Sequence, residues 1–500
     1  MGRGMGDDWG EESTMSQKPD LRSSVSRSGA ALAVALALAS SACMVGPKYQ
    51  RPAAAAPPAF KEAPPAGWKE AQPNDGALRG NWWEIYGDPA LNALEERIGV
   101  SNQNVLAAEA QYRAAKDAVR SARAALYPTV SAGASITTSR NRAAGVTNSF
   151  QIPGFDFSYQ ADVWGSIRRT VTASAETAQA SAAQLENARL SLQAELAIDY
   201  FELHGLDGDI GVFENTVKSY ADYLTLTKNR FAGGVASGAD VAQAETQLDT
   251  ARAELTDFGV ARAQYEHAIA MLTGRPPSEL TIERRLLTAP PPPIPVAVPS
   301  ALLERRPDIA NAERLMAAQN EQIGIAMAAF YPTIGLGGTA GLQGTSLLNV
   351  FSWPSRFWSL GPSASQLIYD AGRRRAILQQ QQDLFDSSVA SYRQTVLTAF
   401  QQVEDALSAL RILESESDQV KEAVDAAQRS LDISTDQYKA GIVSYLQVIT
   451  AQTFLLQNQR TAVDLLARRL AASVQLIEAL GGGWNASQLP SVESLKARSH

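Results

Sequence analysis

The sequence predicts a mainly α-helical chain that also carries a membrane β-barrel and is built by internal duplication. Three observations lead there. Long stretches rich in Ala, Gln, Glu, Leu and Arg run with few helix breakers. Four shorter runs alternate between apolar and polar residues, a period of two. The segments that carry both features recur in the same order, 204 to 207 residues further along the chain.

Composition narrows the function classes. Much of the 45% apolar content is alanine and only 7% of residues are aromatic, which suits long, narrow helical packing better than a globular enzyme core. The net charge of −8 shows no basic excess, so nucleic acid is not an expected partner. One cysteine, Cys43, and three scattered histidines, His204, His267 and His500, offer neither a metal cage nor a Cys-His catalytic pair. The expectation is a protein without a cofactor or metal and without enzymatic activity.

Residues 1–42 read as a secretory signal. Lys18, Arg22 and Arg27 precede an apolar stretch, GAALAVALALASSA (29–42), too short to span a bilayer as a helix. The acids at positions 7, 8, 11 and 12 fit no signal, which makes Met15 a candidate start. Ser41 and Ala42 are small, as processing requires, and Cys43 follows at once. SSAC resembles a bacterial lipobox, although Ser40 stands where leucine is usual. Two readings stay open: an idle thiol after a cut elsewhere, or Cys43 as the lipidated first residue of the mature chain, held on a membrane at ~0.8 kcal/mol per buried CH₂. Residues 43–88 form the segment that would carry the lipid.

The first repeat spans 89–288 and the second 301–482, joined by a Pro-rich linker, 289–300, that must be extended. A tail, 483–500, follows. Helix is expected over about 89–125 and 166–273, and again over 305–328 and 372–480. Strands are expected at about 127–141, 149–163, 331–343 and 356–368. In the second of these Phe155, Phe157, Tyr159, Ala161 and Val163 alternate with Asp156, Ser158, Gln160 and Asp162. In the first, Val130, Ala132, Ala134 and Ile136 alternate with polar or small residues, and Trp358, Leu360, Pro362 and Ala364 line one face of the last. Each run is long enough for a tilted strand to cross a bilayer. Four strands cannot close a barrel and open edges are not tolerated in lipid, so several copies must combine, three giving 12 strands. GLGGTA (335–340) matches a dinucleotide-binding pattern, but it lies inside an alternating strand with no helix behind it.

Four blocks carry a family resemblance: CMVGPKYQRP, NWWEIYGDPALNALEERIGVSNQNV (81–105), RRPDIANAERLMAAQNEQIGIAMAAFYPTIGL (305–336) and WSLGPSASQLIYDAGRRRA (358–376). Together they resemble the outer-membrane factor family, and more closely its TolC-like lipoproteins that serve resistance-nodulation-division efflux pumps. The resemblance implies a homotrimer with a 12-stranded outer-membrane barrel and a long α-helical periplasmic tunnel, lipid-anchored at Cys43 with most of the chain in the periplasm. It also implies a periplasmic adaptor protein and an inner-membrane pump as partners. Adaptor contact falls on two hairpin tips: Gly233, Gly234, Val235, Ala236 and Ser237 in the first repeat, and Gly441, Ile442, Val443 and Ser444 in the second. In related channels, aspartates beyond the second tip line a constriction. Here Gln447 and Thr450 stand there, both neutral, while the first repeat supplies Asp240. Asp240 is therefore the gate candidate, with capping of the following helix as the competing role and Tyr445 as added bulk. A duct for secreted proteins and a structural lipoprotein without a pore are the rival functions.

Overall fold

The computed structural model describes residues 44–53, 56–63, 65, 80–141, 145–296, 299–346 and 350–497. Cys43 lies outside them. The long elements come in matched sets. Helices α1 (Pro89–Ser101) and α2 (Gln103–Ala124) lead into strands β1 (Thr129–Asn141) and β2 (Gly145–Ala161). Then come α3 (Ser166–Ala232) and α4 (Gly238–Leu272). After the linker, α5 (Pro307–Ala328) leads into β3 (Thr333–Gly344) and β4 (Arg356–Ser365), followed by α6 (Arg373–Lys439) and α7 (Tyr445–Ala479). The duplication read from sequence is carried into length: α3 and α6 each have 67 residues, α4 and α7 each 35. At 1.5 Å per residue the longer pair extends ~100 Å.

Two expected boundaries move for identifiable reasons. The helix expected over 89–125 is broken at Asn102, whose backbone is extended and whose side chain accepts from the N–H groups of Asn104 and Val105, starting α2. The same amide donates to the carbonyl of Leu272 at 2.8 Å, so the break ties the start of the repeat to the end of α4. The second strand stops at Ala161, which removes Val163 from its apolar face. There the Asp162 carboxylate instead accepts from the N–H groups of Ile167 and Arg168 and caps α3.

The chain divides into two compact units. One comprises the strands with their adjoining residues, up to Gly46, Leu126–Arg168 and Met327–Asp370. Its sheet has the order β1-β2-β3-β4, antiparallel throughout. Register fixes its faces. Val130 pairs with Phe157, Phe157 with Gly338 and Gly338 with Leu360; the neighbouring rung is Ala132, Phe155, Ala340 and Trp358. The alternate residues form the other face: Ser131, Asp156, Thr339 and Ser359 share one rung. One extra residue in β2 between Gln151 and Gly154, at Ile152–Pro153, makes a bulge, a place where a residue without an N–H is tolerated.

The other unit holds the helices and the main core, where Trp82, Leu91, Ile98, Leu196, Leu203, Tyr392, Val403, Leu407 and Ile477 pack together. The Pro-rich linker forms no helix up to Val296 and buries Ile294 in the same core, but its end is not extended as expected: Pro299–Ala301 is a 3-10 turn, which the fixed φ of Pro299 suits. Gly205 and Gly208 in α3 carry no side chain where α7 passes: a Cβ at Gly208 would meet Val463 at 2.7 Å and one at Gly205 would meet Ala467 at 2.9 Å. Glycine in mid-helix costs roughly 1 kcal/mol against alanine, and close helix contact offsets it here.

Candidate functional site

The hairpin tips are built from chain reversal. At the first, α3 ends at Ala232 and Gly234 takes a left-handed φ of +73°, which a side chain would strain. The N–H groups of Gly233, Gly234 and Val235 donate to the carbonyls of Asn229, Phe231 and Arg230, closing the last turn. Ala236 follows, its N–H on the Arg230 carbonyl, and Ser237 begins α4. The second tip repeats this design 207 positions on. Gly441 has φ +77°, the N–H of Ile442 donates to Gln437, Val443 packs on the local core, and Ser444 begins α7.

The two helix starts differ. Ser237 and Asp240 form a reciprocal capping box: Ser237 Oγ accepts from the N–H of Asp240 at 3.2 Å, and Asp240 Oδ2 accepts from the N–H of Ser237 at 2.8 Å. Of the two roles open for Asp240, the structure displays the cap. In the second repeat Gln447 occupies the matching position and Ser444 makes no side-chain cap. Gln447 and Thr450 are exposed on α7, and Thr450 Oγ1 donates to the carbonyl of Leu446. Tyr445 departs from the expectation of bulk at a constriction. It is only 1% exposed and packs at 5.4 Å from the Tyr438 ring, with Leu431, Val448 and Ala451 around it. Its burial also raises its hydroxyl pKa. The ring belongs to the core of the tip, because an aromatic at that position fills the space between α6 and α7.

Sequence reading missed Arg230, which joins the tips. Its guanidinium lies 4.6 Å from the Tyr438 ring centre and donates to the Lys439 carbonyl at 3.0 Å, at the negative end of α6. Tyr223 Oη and Thr435 Oγ1, 2.6 Å apart, make a second link between α3 and α6. A signal was available in the repeat itself: the position of Arg230 is held by the neutral Gln437 in the second tip, so the cation belongs to one tip alone. Phe231, Val235, Ile442 and Leu446 remain exposed, an apolar surface at both reversals.

Further up α3, a buried network fixes the chain that follows α4. Asp207 accepts from Arg262 Nε at 2.7 Å and lies 2.9 Å from His204 Nδ1. Arg262 also donates to the carbonyl of Ile282. Asp88, which caps α1, accepts from Tyr200 Oη and from Arg285. These partners hold the carboxyls of Asp88 and Asp207 below their usual range despite burial.

Comparison with known proteins agrees with this architecture. Residues 96–275 and 298–482 match the family model described as outer membrane efflux protein. The chain is 31% identical over 468 residues to the probable efflux pump outer membrane protein TtgC of Pseudomonas putida, covering 91% of this chain and 96% of that one. It is 30% identical to the outer membrane protein OprJ of Pseudomonas aeruginosa, covering 91% and 95%. Among solved structures, the outer-membrane channel OprN superposes with a TM-score of 0.81 at 28% identity, over 88% of this chain and 100% of that one.

Proposed function

The chain belongs to the outer membrane efflux protein family, and from that premise we propose that it is the outer-membrane channel of a tripartite efflux system. It is a passive duct for small toxic compounds or drugs, working with a periplasmic adaptor and an inner-membrane pump. The observation that carries this reading is the two-faced sheet with open edges. One face is apolar and exposed, the other is lined by Ser, Thr, Gln and Asp, and neither β1 nor β4 has an outer partner among the described residues. With its apolar face in hydrocarbon such a sheet cannot leave its edges open, so it must close into a barrel, and three copies supply 12 strands. Purified protein in planar bilayers should give stepwise single-channel conductance. A membrane-bound protein that never conducts would reject the duct and leave the structural lipoprotein.

Anchoring through Cys43 is part of the same reading. Supporting it, the N–H of Val45 donates to the carbonyl of Trp164, so the residues after the cysteine lie beside the strand ends that lead into the helices. Palmitate fed to cells should label the wild type and not Cys43→Ser, and the variant should still reach the outer membrane. Label kept by the variant would remove the lipid anchor. Adaptor contact is assigned to the tips, whose exposed Val235 and Ile442 offer apolar docking surface.

Asp240 serves as the cap of α4 in this reading and contributes charge at the entrance only through its exposed edge. Asp240→Ala should lower stability by ~1 kcal/mol per subunit, as cap losses do, whereas Asp240→Asn keeps an acceptor for the Ser237 N–H and removes the charge alone. Multivalent cations added from the periplasmic side test the gate role: block relieved in Asp240→Asn makes Asp240 the cation site, and block that persists places it elsewhere.

A further inference from the structure

We propose that the outward end of the sheet binds the phosphate of an anionic lipid, through Arg356 and Trp353. The proposal rests on the reading of the sheet as membrane-embedded.

Topology sets the position. Thr333 pairs with Ser365 at the end of the sheet where the strands continue into α5 and α6. The pairs Asn141–Gly145 and Leu342–Arg356 lie at the opposite end, which in a barrel with periplasmic helices faces out of the cell. Between Ser352 and Arg356 the chain makes a tight turn, Trp353–Ser355, and the N–H of Arg356 donates to the carbonyl of Trp353. This turn folds the indole back so that the Arg356 guanidinium sits 3.2 Å from its ring centre.

Register then decides which way Arg356 faces. It shares strand parity with Trp358, Leu360, Pro362 and Ala364, and its cross-strand partner is Leu342. It therefore emerges on the apolar face, one step above Trp358, which is 80% exposed, and beside Trp353 at 75%. An arginine on a lipid-facing surface is costly unless it stands at the headgroup level and meets an anion. Among the described residues no carboxylate pairs with it.

Charge is segregated around this point. Among the described residues of the outward part of both hairpins, 133–141, 145–152, 341–346 and 350–358, every charged residue is an arginine: Arg140 and Arg356. The whole chain has a net charge of −8, so this end is opposite in sign to the rest. A guanidinium presents a planar fork that matches phosphate oxygens, and the flanking indoles suit the boundary between acyl chains and headgroups. An outer-leaflet glycolipid bearing phosphates joins both chemistries in one molecule. A polar surface site for free phosphate would not need the apolar neighbours.

The test uses the full-length trimer in phosphatidylcholine nanodiscs, with phosphorylated lipid A, dephosphorylated lipid A or inorganic phosphate added, and retained lipid counted by native mass spectrometry. Wild type should retain phosphorylated lipid A roughly tenfold better than Arg356→Ala, the loss expected for a charge-assisted contact. Arg356→Lys, which keeps the charge without the fork, should fall between. Dephosphorylated lipid A should be retained no better than by Arg356→Ala, and millimolar inorganic phosphate should not displace the phosphorylated form. Equal retention by Arg356→Ala, or by dephosphorylated lipid, overturns the site, and displacement by inorganic phosphate shows a bare anion site in place of a lipid site. Failure of the wild type to enter nanodiscs would instead overturn the membrane reading beneath it.

Discussion

Glu95 shows how much a single side chain can be asked to tolerate. It is 0% exposed in α1, and neither carboxylate oxygen has a hydrogen-bond partner among the described residues. Burial alone pushes its pKa well above the ordinary Glu value, which favours the neutral acid. The sign of the consequence follows by linkage. The folded pKa lies above the unfolded value, so stability is fully present below about 4.5, the ordinary Glu value. It declines as rising pH ionises the unfolded state but not the buried group. Glu95→Leu should therefore stabilise the fold by roughly 1–3 kcal/mol at neutral pH, from removal of an unsatisfied polar group, and raise the unfolding midpoint. Thermal scans at pH 5 and pH 8 should show the gap between variant and wild type widening at the higher pH. A constant gap would mean the carboxyl finds a partner in the assembled protein.

At the scale of elements, α3 and α7 share a strip of acids. Asp199 is raised to about 6 by burial and by Glu195 and Glu202 nearby. Asp209 is raised to about 6 by burial, with Arg460 opposing and Asp464 reinforcing. Both stay protonated in mild acid and ionise near neutrality, so their contribution to stability is complete below about 3.8 and is lost as pH rises through about 6. Asp199→Asn with Asp209→Asn should flatten the fall in melting temperature between pH 5 and pH 7. Both groups are partly solvated, so the change in slope will be modest. An unaltered slope would assign the pH dependence to other acids. The same helices show what periodicity conveys and what it omits. Their existence and their paired lengths follow from the absence of breakers and from the duplication. Their burial pattern does not, because alanine fits nearly any face.

For the molecule as a whole, the tips should matter to transport more than to stability. A Cβ at Gly234 meets no atom within 4 Å and one at Gly441 meets only Arg230 Nη2 at 4.0 Å, so leucine at either position starts into open space. The cost is the left-handed backbone, on the order of 1–2 kcal/mol per residue, too little to unfold a chain with this core. Trimers should persist on native gels while efflux and adaptor cross-linking are lost. Normal efflux in both variants would move the docking surface away from the reversals.

What the sequence determined by itself was everything that depends on local pattern. Strand runs such as Phe155–Ala161 were legible because a period of two survives whatever surrounds it, and the tips because Gly234 and Gly441 punctuate long helices. The WW and RRPDI blocks carried the family. Only the tertiary structure decided which side chains with similar local signals meet a partner. Tyr445 reads as bulk beside a constriction, yet the fold packs it against Tyr438. Arg230 reads as one more helix-surface cation, yet it reaches the end of α6. Asp240 reads equally as gate or cap, and in the fold its carboxylate accepts from the backbone of Ser237. The reason is physical. Helix and strand periods are set within a few residues, whereas a contact such as Arg230 to Lys439 joins elements 209 residues apart, and a near pair such as Tyr438 and Tyr445 meets only once the chain has reversed at the tip between them.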